Sequence, residues 1–149
     1  MKPRLVLDTS FVLPFLGVNV RGIDPGIVEE YASQGYELLY PLLALPELLG
    51  VITRAAEKRG LGKLPREALE GIEALIRGED VKLVEPRFEH IATALELRLR
   101  GHRDIFDCIF YSTALHEGAA LLTADETLLK FIKAEGYDAS IILLVRTRR

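Results

Sequence analysis

Five short apolar runs recur along the chain, and helical segments separate each run from the next. The runs cover residues 4–7, 36–40, 81–85, 119–123 and 140–145. They are apolar on both faces for most of their length, which is typical of parallel strands covered by helices on both sides. A chain in which such strands alternate with helices is predicted to fold as α/β. Here the prediction is three layers (α/β/α) around a short, mostly parallel central sheet.

Seven helices are predicted between these strands. They cover residues 10–16, 24–35, 42–59, 65–78, 86–101, 104–117 and 126–135. In the third of them the helix proper should begin near Leu45, because a proline such as Pro46 is tolerated only in the first turn. No repeat, linker or low-complexity tract interrupts the 149 residues, so a single domain over residues 1–149 is predicted.

Composition bears on the compartment in which the chain works. A single cysteine, Cys108, excludes an internal disulfide framework. No apolar run approaches the roughly 18 residues of a membrane span, and the first run is too short for a signal peptide. The chain is therefore predicted to be cytoplasmic, with no membrane partner. Asparagine and glutamine occur once each, as Asn19 and Gln34, while Glu, Lys and Arg are plentiful, a bias that indicates a thermophile.

Two aspartates follow predicted strands. Asp8 ends the first strand, and Asp125 comes two residues after Thr123 at the end of the fourth. In parallel α/β sheets, ligands bind outside the carboxyl ends of the strands. Both carboxylates are therefore candidates for a functional site.

Three further acids occur on predicted helices. Glu47 is the only charged residue between positions 42 and 53, and Asp107 is the only one between positions 105 and 115. Asp104 lies one turn before Asp107 and shares its helix face. Carboxylates in apolar surroundings are costly, and several together repel one another, so a hard divalent cation such as Mg²⁺ or Mn²⁺ is the usual compensation. Such ions activate water for phosphodiester cleavage.

A structural interpretation of the same acids stays open. Asp8, Asp104 and Asp125 each precede a predicted helix, where aspartate is a preferred N-cap. Asp107 could complete an arrangement similar to a capping box. Glu47 fits this interpretation least, because it caps nothing, although a solvent-facing polar stripe could account for it. The joint pattern favours the metal site.

The sequence resembles PIN-domain ribonucleases, the fold of VapC-type toxins in toxin–antitoxin pairs, over nearly the whole chain. Four motifs in order carry the resemblance: the strand and acid at residues 5–10 (Leu-Val-Leu-Asp-Thr-Ser), the helix acid at 46–48 (Pro-Glu-Leu), Asp107 opening a helix, and the strand and acid at 121–125 (Leu-Leu-Thr-Ala-Asp). Family members usually place the third and fourth acids eighteen residues apart. Asp107 and Asp125 have this spacing, which selects Asp107 over Asp104 as the third acid.

The resemblance implies a metal-dependent endoribonuclease. Asp8, Glu47, Asp107 and Asp125 would hold Mg²⁺ or Mn²⁺, with Asp104 as an auxiliary ligand or a cap. Thr9, Ser10 and Thr123 would orient carboxylates and waters around the ion. Relatives of this kind are typically homodimers that a small antitoxin protein neutralises.

Basic residues just before Asp104 could steer RNA towards the acids. The predicted RNA-binding rim consists of Arg98, Arg100, His102, Arg103 and Lys63, to which the terminal Arg146, Arg148 and Arg149 could add. An ordinary solvated helix end is the alternative for these cations. Cys108 is predicted to be a small packing residue.

Three other functions compete with the toxin. The chain could be a housekeeping RNA-processing nuclease, or a PIN-like scaffold without catalysis, although a degenerate scaffold typically loses acids that this chain keeps. It could also be an aspartyl-phosphate phosphatase or receiver domain phosphorylated at Asp8. That class is disfavoured, because its phosphatases need an aspartate where Ser10 stands, and Lys130 and Lys133 lie inside a predicted helix.

The net charge of −3 at first argues against nucleic acid, because proteins that bind it through bulk charge are basic. Setting aside the five acids assigned to one site leaves seventeen acids against nineteen bases. The acidity is then concentrated in one place, where a metal ion would neutralise it. The net charge therefore does not count against an RNA substrate, and it predicts weak bulk affinity for RNA.

Overall fold

The computed structural model describes residues 1–147 and contains one five-stranded sheet. The strands are β1 Arg4–Leu7, β2 Glu37–Pro41, β3 Val81–Val84, β4 Ala120–Thr123 and β5 Ile142–Leu144. The helices are α1 Thr9–Val12, α2 Gly26–Ser33, α3 Leu45–Lys58, α4 Arg66–Arg77, α5 Phe88–Leu99, α6 Ile105–Glu117 and α7 Glu126–Ala134. The three-layer α/β/α prediction is confirmed. Arg148 and Arg149, which were predicted to extend the rim, lie outside the described residues.

All four strand pairs of the sheet are parallel, where the sequence had predicted a mostly parallel sheet. The strand order is β3-β2-β1-β4-β5. From the central β1 the chain builds outward in one direction through β2 and β3, and later in the other through β4 and β5. The order therefore reverses between β1 and β4, and such a switch point opens a crevice at the carboxyl ends of the two strands.

The middle of the sheet is the centre of the hydrophobic core. Leu5, Val6 and Leu7 of β1 have no exposed surface, and neither do Leu121 and Leu122 of β4. Helix α6 packs across β1, β2 and β4, and α5 packs on α6. Because the strand ends and helix starts around β1 are anchored in this core, the side chains that follow them are held in place.

Two prolines alter the helices that follow β1 and β2. The helix predicted at residues 10–16 divides into α1 and a 3₁₀ turn at Leu13–Leu16, since Pro14 cannot donate the backbone hydrogen bond that would continue α1. A second 3₁₀ turn, Leu42–Ala44, precedes α3, which begins at Leu45 as predicted. Among residues 1–147, no helix is both long enough and apolar enough to cross a membrane.

Candidate active site

A polar cleft opens at the switch point between β1 and β4. Its lining residues are Asp8, Thr9, Ser10, Glu47, Asp104, Asp107, Phe110, Ala124 and Asp125. The structure thus brings together the five acids that the sequence singled out from positions 8 to 125. We call this cleft, with all of its lining residues, the acidic cleft.

The pairing of β1 with β4 places Asp8 beside Thr123. Leu7 pairs with Leu122, and the Asp8 backbone N–H donates to the Leu122 carbonyl at 3.2 Å. The next residues along the two strands are then neighbours, and the Thr123 hydroxyl hydrogen-bonds to the Asp8 carboxylate. The same Thr123 oxygen accepts from the backbone N–H of Asp125 at 3.1 Å. One threonine thereby ties the first and fourth acids together.

Three of the acids also cap helices, so the structural interpretation of these residues holds alongside the functional one. Oδ1 of Asp8 accepts from Ser10 N at 3.0 Å, and Oδ1 of Asp104 accepts from Phe106 N at 2.9 Å. Oδ1 of Asp125 accepts from the backbone N–H groups of residues 127 and 128 at 2.9 and 3.1 Å. In each case the cap uses Oδ1, so Oδ2 is available for other partners.

Helix N-termini surround the acidic cleft. Asp8, Asp104 and Asp125 are the N-caps of α1, α6 and α7, and Glu47 lies in the first turn of α3. The N-terminal end of a helix carries partial positive charge, which stabilises nearby anions. These helix ends offset part of the repulsion among the carboxylates, and they would also favour a phosphate group.

A series of hydrogen bonds from β2 to α3 holds Glu47 in place. The Thr9 hydroxyl donates to Oε1 of Glu47 and lies 2.7 Å from the hydroxyl of Tyr40 on β2. The Tyr40 hydroxyl also donates to the Ala44 carbonyl at 3.1 Å, and its side chain is fully buried. Thr9 was predicted to orient carboxylates. Tyr40 was not predicted, because a tyrosine at the end of an apolar strand looks like an ordinary core residue.

Asp107 has the most perturbed carboxyl group of the cleft. Its Oδ2 lies 2.8 Å from Nε2 of His102. Burial, a hydrogen bond with Asp125 and the charges of Asp104, Asp125 and Asp8 together raise the pKa of Asp107 to about 9. The metal-free protein therefore keeps a proton on this group at neutral pH.

The pKa values of two other acids of the cleft, Asp8 and Glu47, are also raised. Burial raises the pKa of Asp8 to about 6, against the lowering effect of its hydrogen bonds from Thr123 and Ser10. Burial also raises the pKa of Glu47, and the nearby charge of Asp104 adds to the effect. Crowded, desolvated carboxylates that hold protons are the donor set that a hard divalent cation would fit, since such an ion neutralises them and prefers oxygen ligands.

The predicted rim residues do not share one location. Arg98 in the last turn of α5 and Arg103 just before α6 are exposed, while Arg100 pairs with Glu96 at 3.1 Å and lies over the Tyr137 ring. Lys63 follows the far end of α3, so about 16 Å of helix separates its loop from Glu47. Lys63 is therefore not at the mouth of the cleft.

His102 differs most from its prediction. Only 6% of the residue is exposed, and its ring contacts Asp107 and packs on Phe131 of α7. It is a buried member of the acidic site rather than a surface residue of the rim. Arg54 was not among the predicted residues; it lies seven residues after Glu47 on the same face of α3 and lowers the pKa of that glutamate. The spacing of seven was the available signal.

Other chemistries receive no support from the cleft. Cys108 is fully buried, as predicted for a packing residue. Within residues 1–147, no lysine is among the residues that line the acidic cleft, and Lys130 and Lys133 are exposed on α7. The lysine required for aspartyl-phosphate chemistry at Asp8 is therefore missing from the described lining.

Comparison with known proteins places this geometry in a family. The family model described as PIN domain matches residues 5–134. Searching the curated proteins returned no significant match.

Solved structures share the fold at low sequence identity. VapBC2 from Rickettsia felis, bound to a DNA fragment from its promoter, is 14% identical with a TM-score of 0.59, covering 97% of this chain and 99% of that one. VapC20 from Mycobacterium tuberculosis, a toxin that cleaves the sarcin–ricin loop, is 17% identical with a TM-score of 0.59, covering 91% and 97%. A toxin–antitoxin complex from Klebsiella pneumoniae is 14% identical with a TM-score of 0.55, covering 81% and 86%. Because the family model spans most of the sequence, the chain belongs to the PIN domain family.

Proposed function

We propose that the chain is a metal-dependent endoribonuclease, and that it is the toxin of a toxin–antitoxin pair. The observation that carries the nuclease proposal is the convergence of Asp8, Glu47, Asp107 and Asp125 in one cleft at the switch point of the sheet. Membership of the PIN domain family agrees with it. The similarity to VapBC toxin–antitoxin structures supports the toxin and suggests a small antitoxin protein as its partner.

The four converging acids would hold Mg²⁺ or Mn²⁺, with Asp104 at the edge of the same cleft. A bound ion of this kind would lower the pKa of a water molecule, which favours its attack as hydroxide, and would supply positive charge for the phosphodiester. Asp8 and Asp125 keep one oxygen in a helix cap, which fixes the direction of the other. Thr9 and Thr123 hold Glu47 and Asp8 in place.

The protein around the cleft would also bind the RNA backbone. Helix N-termini point partial positive charge at the cleft, where a scissile phosphate would lie. Arg98 and Arg103 on the α6 side and Arg54 on the α3 side are cations that would attract neighbouring phosphates. Because these cations are few, we propose that recognition depends on the metal site more than on bulk charge.

Replacing Asp8 tests the nuclease proposal. Asp8→Asn keeps the cap, because asparagine is as good an N-cap as aspartate, but it removes a charged metal ligand. We expect the variant to lose cleavage of RNA in Mg²⁺ or Mn²⁺. The matched control is Asp24→Asn, because Oδ1 of Asp24 likewise accepts from the backbone N–H two residues ahead, Gly26 N at 2.8 Å, at the exposed start of α2. It should cleave as the wild type does.

The outcomes of this assay separate the candidate functions. Undiminished cleavage by Asp8→Asn would exclude the proposed chemistry. A wild type that cleaves no RNA with either metal, even after removal of any co-purifying partner, would favour the non-catalytic scaffold. A short reading frame for an antitoxin-like protein beside the gene would favour the toxin over a housekeeping RNA-processing nuclease.

We propose further that the chain forms a homodimer in the cytoplasm. Helix α5 carries an apolar stripe formed by Phe88, Ile91, Leu95 and Leu99, whose exposed fractions are 80%, 41%, 52% and 86%. The spacing of these residues places them on one face. An exposed apolar stripe of this kind is a site of association, and a second copy would present the same stripe.

The single core that α5 and the sheet share also supports one nuclease domain over residues 1–149.

A further inference from the structure

The imidazole of His102 makes close contact with Asp107, the third acid of the site. We propose that His102 is a positioning residue: its Nε2–H group donates to Oδ2 of Asp107 and so leaves Oδ1 of that aspartate directed at the divalent ion. The inference rests on the proposed function, because it concerns the same metal.

Contacts with α5 and α7 hold His102 in place. The residue lies in the loop between α5 and α6, and its backbone N–H donates to the Leu97 carbonyl at the end of α5 at 3.3 Å. Its ring packs on Phe131 of α7, with the ring centroids 5.1 Å apart. With 6% of its surface exposed, the imidazole has little freedom to turn away from Asp107 or to contact RNA.

The contact decides which oxygen of Asp107 remains free. Nε2 of His102 lies 2.8 Å from Oδ2, a good hydrogen-bond distance. A metal-bound aspartate is ionised and can only accept hydrogen bonds, so in the working protein Nε2 must carry the proton. Outer partners of this kind fix the orientation of a ligand and typically change metal affinity or activity by about 10- to 100-fold.

Direct metal ligation by His102 is the competing arrangement. Nε2 and one oxygen each from Asp107 and Asp125 lie within 4.8 Å of one another, which is close enough for one ion. However, His102 is absent from the residues that line the acidic cleft, while Asp107 and Asp125 are among them. The imidazole therefore contacts the Asp107 carboxylate without lining the open cleft.

Two substitutions at position 102 separate these arrangements. His102→Phe keeps a planar ring against Phe131 but has no N–H donor, whereas His102→Gln places an amide N–H donor at a similar reach. The control is His116→Phe. His116 lies on α6, as Asp107 does, but it contacts Thr93 at 2.8 Å and is nine residues beyond Asp107, about 14 Å along the helix.

The main measurement is Mn²⁺ binding to the full chain by isothermal titration calorimetry, without RNA. We expect His102→Phe to weaken Mn²⁺ binding by about 10- to 100-fold. His102→Gln should bind within a few-fold of the wild type, and His116→Phe should bind as the wild type does. In the cleavage assay, His102→Phe should need more Mn²⁺ for half-maximal rate and should approach the wild-type rate at saturating Mn²⁺. Circular dichroism in EDTA checks the fold, and His102→Leu replaces the phenylalanine variant if that variant is unfolded.

Each other outcome overturns the proposal in a recognisable way. If His102→Phe binds Mn²⁺ as tightly as the wild type does, His102 does not position Asp107, and the proposed nuclease function is unaffected. If His102→Gln binds as weakly as His102→Phe, the imidazole itself is the ligand. If the wild type binds no Mn²⁺ and cleaves no RNA, the proposed function fails together with this inference.

Discussion

The raised pKa of Asp107 makes a quantitative prediction about stability without metal. In the folded protein burial and neighbouring acids raise this pKa to about 9, whereas an unfolded chain has an aspartate pKa of about 3.9. Between these values the folded chain keeps a proton that the unfolded chain releases. The contribution of Asp107 to the free energy of unfolding is therefore fully present below about pH 4. Above that pH it decreases by about 1.4 kcal/mol for each pH unit until the folded pKa is reached.

Asp107→Asn removes this dependence while keeping the local contacts. The asparagine carbonyl can accept from His102, and its amide can donate to Asp125, so the substitution copies the protonated acid. Because Asp107 is neutral in the folded wild type throughout this range, the other acids titrate alike in both proteins and cancel in the difference. We expect the unfolding free energy of Asp107→Asn, relative to that of the wild type, to increase by about 4 kcal/mol between pH 5 and pH 8.

Urea denaturation in EDTA at pH 5, 6, 7 and 8 measures this difference. The control is Asp138→Asn: Asp138 is exposed, and hydrogen bonds from Ser140 lower its pKa, so the aspartate is ionised in both states over the range. Its difference from the wild type should not change between pH 5 and pH 8. Parallel stability curves for Asp107→Asn and the wild type would refute the argument that Asp107 is buried among like charges. Adding Mn²⁺ should stabilise the wild type more than Asp107→Asn, because only the wild type keeps the full ligand set.

Further predictions concern Glu47, its support, self-association and heat resistance. Glu47→Gln should reduce metal-dependent RNA cleavage by at least about 100-fold with little loss of fold, measured by gel assay and circular dichroism. Tyr40→Phe should lower the free energy of unfolding measured in urea by about 1 kcal/mol. It should also raise the Mn²⁺ concentration for half-maximal cleavage, because Thr9 loses a hydrogen-bond partner. An unchanged Mn²⁺ requirement would contradict the role of the hydrogen bonds from Tyr40 through Thr9 to Glu47. Leu95→Glu should convert a dimer into a monomer in light scattering, whereas a wild type that is already monomeric would exclude the α5 interface. The scarcity of amides predicts a Tm above the mesophile range of about 45–65 °C by calorimetry, and a Tm within that range would contradict the thermophile assignment.

Local sequence signals predicted most of the fold. The strands around Val6 and Leu121 are so continuously apolar that only a doubly covered sheet could bury them. Proline and glycine at the helix ends located most boundaries, because each acts on the backbone next to it. The 3₁₀ turn that contains Pro14 was missed, since a single apolar stretch covers both it and α1.

The candidate acids were also identifiable before the structure, because Glu47 and Asp107 are isolated charges in apolar helices. Their partners were not. Tyr40 looks like a core residue and His102 like one more member of a basic segment, and neither pattern reveals which side chain each will contact. The cations show the same limit. Lys63 was predicted to belong to the rim, but the length of α3 separates it from Glu47, whereas Arg54 was not predicted and lies on the same face of α3 as Glu47.

The sequence by itself determined the alternation of strands and helices and the acids that follow β1 and β4, because both depend on local backbone preference and burial. Tertiary structure alone decided that β4 pairs with β1, which places Thr123 beside Asp8. It alone placed α7 against the loop after α5, so that Phe131 packs on His102. The distances within the acidic cleft, and hence the pKa values of its carboxyl groups, come from contacts between residues far apart in the chain, which no local pattern records.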